Sequence, residues 1–446
     1  MRGDLTMPSR LSFARVATMI AVALAVVRFA VAVRGGMTIV GGDFYHTLPG
    51  GYVERVNPTL WNSRDLSASA AFHKDYYLYG PVQYLTLYPI AYLSSYADIA
   101  RVLLAVYGIL IVATIVVLWR TMVAGEAARG TGIAPAWCAT LLFAPLIQCY
   151  VQREFEIVTF LIWTLGAYAI VTGRRAMGGA AMGYVTWFKL LPAGFLPYFA
   201  LRRWFHAIGG FVVASLIVLG VSQAVFGLNN FLMFSVSRTI NHESTAGHIV
   251  GAQFRPLVAA PATFFLDQSK SPGHLGTGFC HDWNETNETI ISVRWALCGL
   301  NLRHSWLPSR GLFWGFSLGL GALFLMAFAR HERQSATHLE AKWRSIWELS
   351  LILMATVVIV RAHFYYLIVL LFPLVALMYR YLMYRPHWIR IAVLAFAYVV
   401  LSAFIVPLSV LTSVSGHNAW HVYMHYNVYF YGELALFGLL FAEYWR

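Results

Sequence analysis

Apolar runs of about 17 to 25 residues, the length an α-helix needs to cross the hydrocarbon core of a bilayer, recur along the chain. Helix is the form that lets each such run satisfy its own backbone N–H and C=O groups inside lipid. Composition agrees, because 59% hydrophobic and only 11% charged residues leave too little polar surface for a water-soluble domain of 446 residues. The sequence therefore predicts an all-α integral membrane protein, with residues 1–446 forming a single membrane domain.

The formal charge of +13 does not point to nucleic acid, since the basic residues sit at the ends of apolar spans instead of on one polar stretch. They follow the excess of Lys and Arg found in cytoplasmic loops. Arg2, Arg10 and Arg15 accompany an apolar stretch over residues 11–33, too long for a signal peptide and read as a retained first helix. That helix delivers residues 35–98 to the opposite face. The segment is too polar to span and ends in the half-apolar stretch Pro81 to Tyr96, whose aromatics and prolines suit interfacial helices. A span over 99–118 returns to Arg120 and Arg129.

Spans near 133–150 and 156–172 form a hairpin with Gln152-Arg153-Glu154 at its tip and Arg174-Arg175 at its base. Residues 176–201 carry a second basic pair, Arg202-Arg203, beyond their far end and are interrupted by Lys189 and Pro192. A single crossing would put one pair on the wrong side. A re-entrant or short-helix hairpin with Lys189 near its tip keeps both cytoplasmic, and broken helices are tolerated where they line a protein-walled cavity. Arg330, Arg333, Lys342 and Arg344, then Arg380, Arg385 and Arg390, then fall in cytoplasmic loops, with Arg446 inside after a last helix over 428–443. The loop 228–308, the residues Arg361 and His363 after a span over 345–360, and the His- and Tyr-rich stretch 417–431 face outward. Cys138 and Cys149 belong to a span or its edge; Cys280 and Cys298 share the long outward loop and are candidates for a disulfide if it faces an oxidising compartment.

Two readings fit Asp43, a few residues beyond the first helix: a carboxylate at the lipid boundary that deprotonates a hydroxyl, or the N-cap of an interfacial helix. The tyrosines of Lys74-Asp75-Tyr76-Tyr77-Leu78-Tyr79-Gly80-Pro81 suit either a sugar platform or an interfacial aromatic belt. An ionisable residue at membrane depth is expensive enough to mark function, which singles out Lys189; Arg361 and His363 equally fit the membrane edge. Glu154 and Glu156 are read first as partners of Arg153. His417, His421 and His425 recur at helical spacing, but Gly416 and Asn418 break the helix and no acid or cysteine completes a zinc set, so no metal is expected. Asn284 and Asn287 begin short glycosylation-type patterns, and no phosphate loop, dinucleotide fingerprint or nucleophile elbow is present.

The order GGDFYHTLPG, YYLYGPVQYLTLYP, YVQREFE, FKLLPAGFLPYFALRRW and RAHFYY resembles the polytopic GT-C glycosyltransferases, and among them glycosyltransferase family 87, whose members are mannosyltransferases that use a polyprenyl-phosphate donor. The resemblance implies a GT-C fold of about ten to twelve transmembrane helices with interfacial helices in the first extracytoplasmic loop. It implies an inverting transfer in which Asp43 is the base, and His363, Arg361 and Lys189, with Tyr45, His46, Tyr77, Tyr79 and Tyr365, surround the donor phosphate and substrates. Gln152-Arg153-Glu154-Phe155-Glu156 departs from the Gln-x-Asn common at that tip in the family. No cofactor is expected beyond the polyprenyl-phosphate sugar, and the partners are membrane lipids and a glycolipid or glycan acceptor, with no nucleic acid. The expected location is a bacterial inner membrane with the site extracytoplasmic. A transporter or lipid flippase is the rival, but it calls for matching broken segments in two halves, and the sequence has one.

Overall fold

The computed structural model describes residues 19–31, 33–34, 81–93, 96–125, 134–188, 191–226, 290–291, 297, 309–332, 337–359, 362–384, 386–402, 423 and 428–446. These are helical apart from short connections and one two-residue strand pair. Among the described residues four helical segments are long and apolar enough to cross a membrane, over 98–123, 205–222, 311–328 and 366–384, and shorter apolar helices accompany them.

The first helix, α1 (Met19–Val31), is mostly exposed but buries Ala25 and sets Phe29 against Tyr150 with ring centroids 4.9 Å apart. After it, α2 (Pro81–Leu87) starts on a proline, whose fixed φ suits the first helical position, and runs into a 3-10 turn over Tyr88–Tyr92. Its Val82, Gln83 and Leu87 are buried, and Thr86 Oγ1 lies 2.7 Å from the Tyr184 hydroxyl. The end of the first polar loop is thus docked on helices.

The longest helix is α3 (Tyr96–Val123). The single span expected over 133–150 is instead two helices, α4 (Ala134–Leu141) and α5 (Ala144–Gln152). Pro145 is the cause: it occupies the first turn of α5, where it has no N–H to give to α4, and Phe143, the N-cap two residues earlier, is extended at φ −78° and ψ 111°. Arg153 closes α5 in the left-handed region at φ 58°, letting the Glu154 N–H donate to the Cys149 carbonyl at 2.8 Å. The chain then reverses into α6 (Glu156–Val171), which packs along α3.

Helix α7 (Arg175–Thr186) goes out, a 3-10 turn (Leu191–Gly194) and α8 (Phe195–Leu201) come back, and α9 (Phe205–Phe226) goes out again. Gly179 faces Ala207 and Gly183 faces Phe211, so α7 and α9 run in the same direction. A Cβ on either glycine would collide with the facing backbone, which is the close approach that small residues permit when packing, rather than water exclusion, drives helices together in lipid. The Arg175 guanidinium sits 4.7 Å from the centre of the Trp204 ring. Both basic pairs therefore lie at one end, as the re-entrant reading requires.

Helices α10 (Ser309–Glu332), α11 (His338–Ile359), α12 (Leu371–Tyr384), α13 (Trp388–Leu401) and α14 (Val428–Tyr444) complete the bundle. Their charges collect at the same end. Lys342 donates to the Met122 carbonyl at the close of α3, and Arg380 lies over the rings of Trp343 and Tyr384. Arg390 pairs with Glu443, which Arg446 also approaches at 3.7 Å. Glu348 accepts from the Tyr198 hydroxyl at 2.8 Å, from Arg202 Nε at 3.1 Å and from the Tyr444 hydroxyl at 2.9 Å. Strand β1 (Ile290–Ile291), from the long loop, pairs antiparallel with β2 (Ala362–His363), setting Ile290 opposite His363.

Candidate functional site

A cavity lies at the end of the bundle away from these basic residues. Its walls come from α6 (Glu156, Thr159, Phe160, Trp163), from Val185 at the top of α7, from Phe188, Pro192 and Phe195 of the re-entrant segment, from Leu353, Thr356 and Val357 of α11, and from Tyr366, Ile368 and Val369. The empty space is about 600 Å³, counting the part open to solvent. Three of the stretches singled out in the sequence meet here: the hairpin tip, the broken segment and the span-ending Arg-Ala-His-Phe-Tyr-Tyr.

Local structure explains each wall. The left-handed turn at Arg153 aims the first turn of α6 into the cavity, and Arg153 itself is 1% exposed, its Nε donating to the Ala100 carbonyl at 3.3 Å and its Nη1 to the Val151 carbonyl at 3.4 Å. Burial lowers the Arg153 pKa from its ordinary value, with Tyr150 acting in the opposite direction. The re-entrant segment is pressed onto α11, where a Cβ on Gly194 would meet the Thr356 methyl at 3.3 Å. Residues Phe364–Leu370 wind as a 3-10 helix before α12, with Leu367, Ile368 and Leu370 buried. The walls are mostly aromatic and aliphatic. Trp163 stands edge-on to Phe372 at 4.7 Å, and the Thr159 and Thr356 hydroxyls donate back to the carbonyls of Glu156 and Leu353. Such a surface accepts an apolar group and offers Glu156 as its acid.

Asp43, Tyr45, His46, Tyr77, Tyr79, Lys189, Arg361, Cys280 and Cys298 lie outside the described residues. His363 is described as a backbone position in β2, and Tyr365 as one in the 3-10 helix that follows. Among the described residues no group of three His, Cys, Asp or Glu could hold a metal ion. Sequence reasoning passed over Trp163, Thr159 and Thr356 as cavity residues, because a residue inside an apolar run carries no mark of which face it occupies.

Residues 77–266 match the family model of glycosyltransferase family 87. This bears out the resemblance read from the motif order and indicates glycosyltransferase activity. The matched residues include the hairpin tip, α7 and the re-entrant segment, and so one side of the cavity; they amount to a little under half of the 446 residues and leave Asp43 and His363 beyond their ends. No curated protein and no solved structure matches the chain.

Proposed function

We propose that this chain is an inverting membrane glycosyltransferase that moves a sugar, mannose by the family resemblance, from a polyprenyl-phosphate donor to a lipid or glycan acceptor on the extracytoplasmic side. The observation that carries this reading is the convergence of the hairpin tip, the re-entrant segment and the 362–366 stretch on one cavity, remote from the basic end of the bundle.

In this reading the acceptor oxygen attacks the anomeric carbon while Asp43 takes its proton. The bond from that carbon to the phosphate oxygen breaks, and the polyprenyl phosphate leaves with the electron pair. Lys189, Arg361 and His363 supply positive charge and N–H donors where the leaving phosphate gains charge, so no metal is needed for that task. The tyrosines at positions 45, 77, 79 and 365 and His46 line the approach of the two substrates. The positive-inside rule puts the basic end in the cytoplasm and the cavity outside. The remaining helices complete a GT-C bundle.

Replacing Asp43 by Asn and measuring transfer of labelled sugar from a polyprenyl-phosphate donor in liposomes tests the assignment. A loss on the order of a hundredfold to ten-thousandfold is expected, the usual contribution of a positioned general base. Full transfer by a folded Asp43→Asn protein would remove Asp43 from the mechanism.

A further inference from the structure

Glu348 lies in the interior of α11, 1% exposed, and its two oxygens accept from Tyr198, from Arg202 twice and from Tyr444. The Tyr444 hydroxyl shares its one proton with the Ala327 carbonyl of α10 at 3.3 Å, and the Arg202 guanidinium lies over the Phe328 ring. One carboxylate thus joins α8 and α14 to α11, and its partners Tyr444 and Arg202 extend the link to α10. Exchanging a buried ion pair for apolar side chains of similar size is often neutral or favourable for stability, so its presence calls for a role in choosing an arrangement.

That arrangement is legible from where the same elements end. Tyr198 and Arg202 belong to the return leg of the re-entrant segment, whose Pro192 and Phe195 line the cavity one to two turns away. Leu353, Thr356 and Val357 line the opposite wall, roughly 7 to 14 Å further along α11 from Glu348. At the level of the cavity Gly194 is seated on Thr356. The return leg is short and rests on α7 through its 3-10 turn and on α9 through α8, while the Arg202–Glu348 pair is the charged tie that holds its far end to α11.

We infer that Glu348, with Arg202, is a positioning residue: the pair sets the register of the re-entrant segment against α11 and so the width of the cavity between Pro192 and Phe195 on one side and Leu353, Thr356 and Val357 on the other. The inference rests on the glycosyl-transfer reading for its kinetic part only. A misplacement of about 1 Å, even from a remote change, costs up to a hundredfold in rate.

The test replaces both charges together, Glu348→Met with Arg202→Met, in the full chain, so that no charge is left buried alone. The expected result is a melting temperature within a few degrees of the parent, a fall in kcat of about tenfold or more with a smaller change in KM, and faster amide hydrogen exchange confined to residues 187–201 and 353–366. A double variant with parental kcat and parental exchange in those segments overturns the proposal. Should it fail to fold, Tyr198→Phe, which removes one hydrogen bond to Glu348, and Tyr444→Phe, which removes those to Glu348 and to the Ala327 carbonyl, keep the ion pair while loosening it; the same local rise in exchange is expected, with its absence overturning the proposal. If the parent protein transfers no sugar from any polyprenyl phosphate, the functional reading fails, and the exchange measurement alone still decides the role of Glu348.

Discussion

Thr337 and Glu340 open α11 with a reciprocal pair of hydrogen bonds, the Thr337 N–H donating to Glu340 Oε2 at 2.8 Å and the Glu340 N–H to Thr337 Oγ1 at 3.3 Å. The backbone and side chain of Thr337 hold the Glu340 carboxyl below its ordinary pKa. A carboxyl lowered in the folded state adds stability above its unfolded pKa and loses it as pH falls through the folded value. The melting-temperature gap between the parent and Glu340→Gln is therefore expected at neutral pH and closes in acid below about pH 4. Glu433 makes the opposite case. It is buried in α14 and among the described residues neither carboxyl oxygen has a hydrogen-bond partner, which costs about 1 to 3 kcal/mol. Glu433→Met should raise the melting temperature, and a fall would show that the carboxyl is serving a purpose there. The capping box is readable as Thr-x-x-Glu in the sequence, whereas the isolation of Glu433 depends on what α13 brings beside it.

At the level of elements, the direction of α7 and α9 rests on glycines that admit nothing larger. Gly183→Ala should cost about 1 to 3 kcal/mol, the usual penalty of overpacking, because the new methyl meets the backbone of Phe211 and backbone cannot turn aside. Gly209→Ala, in the same pair of helices, has nothing within 4 Å of the added carbon and should leave thermal stability unchanged. Equal losses from both would mean that helix propensity, not contact, sets the effect. The re-entrant segment was legible from charge alone, since two basic pairs flanking one broken apolar stretch admit few topologies. The break between α4 and α5 was not anticipated although Pro145 stands in plain sight, because the apolar run around it reads as continuous. The 3-10 winding of Phe364–Leu370 has no counterpart in its sequence, which is a plain apolar stretch.

For the whole molecule, the basic residues of five separate stretches gather at one end while the cavity lies at the other. Cysteines introduced singly at Arg385 and at Thr47, in a background without the native four, should react with a membrane-impermeant thiol reagent from opposite sides, Arg385→Cys in inverted vesicles and Thr47→Cys in intact cells. Labelling of both from the same side would overturn the topology. The bundle's polarity was legible because charge sidedness is written along the chain. The site was legible only as separate pieces, since what joins Trp163 of α6 to Thr356 of α11 is packing across the bundle, and the role of Asp43 still rests on motif order.

The out, back and out path of α7, α8 and α9 bears on reporter-fusion mapping. A reporter joined after Arg174 and one joined after Arg203 share a compartment, so a map built from those two sites would register no membrane segment between them. One joined after Leu190 would remove the return leg from a hairpin that needs it, leaving α7 without the segment that folds back beside it. Such a series would count one helix too many or none at all, depending only on where the junction was cut.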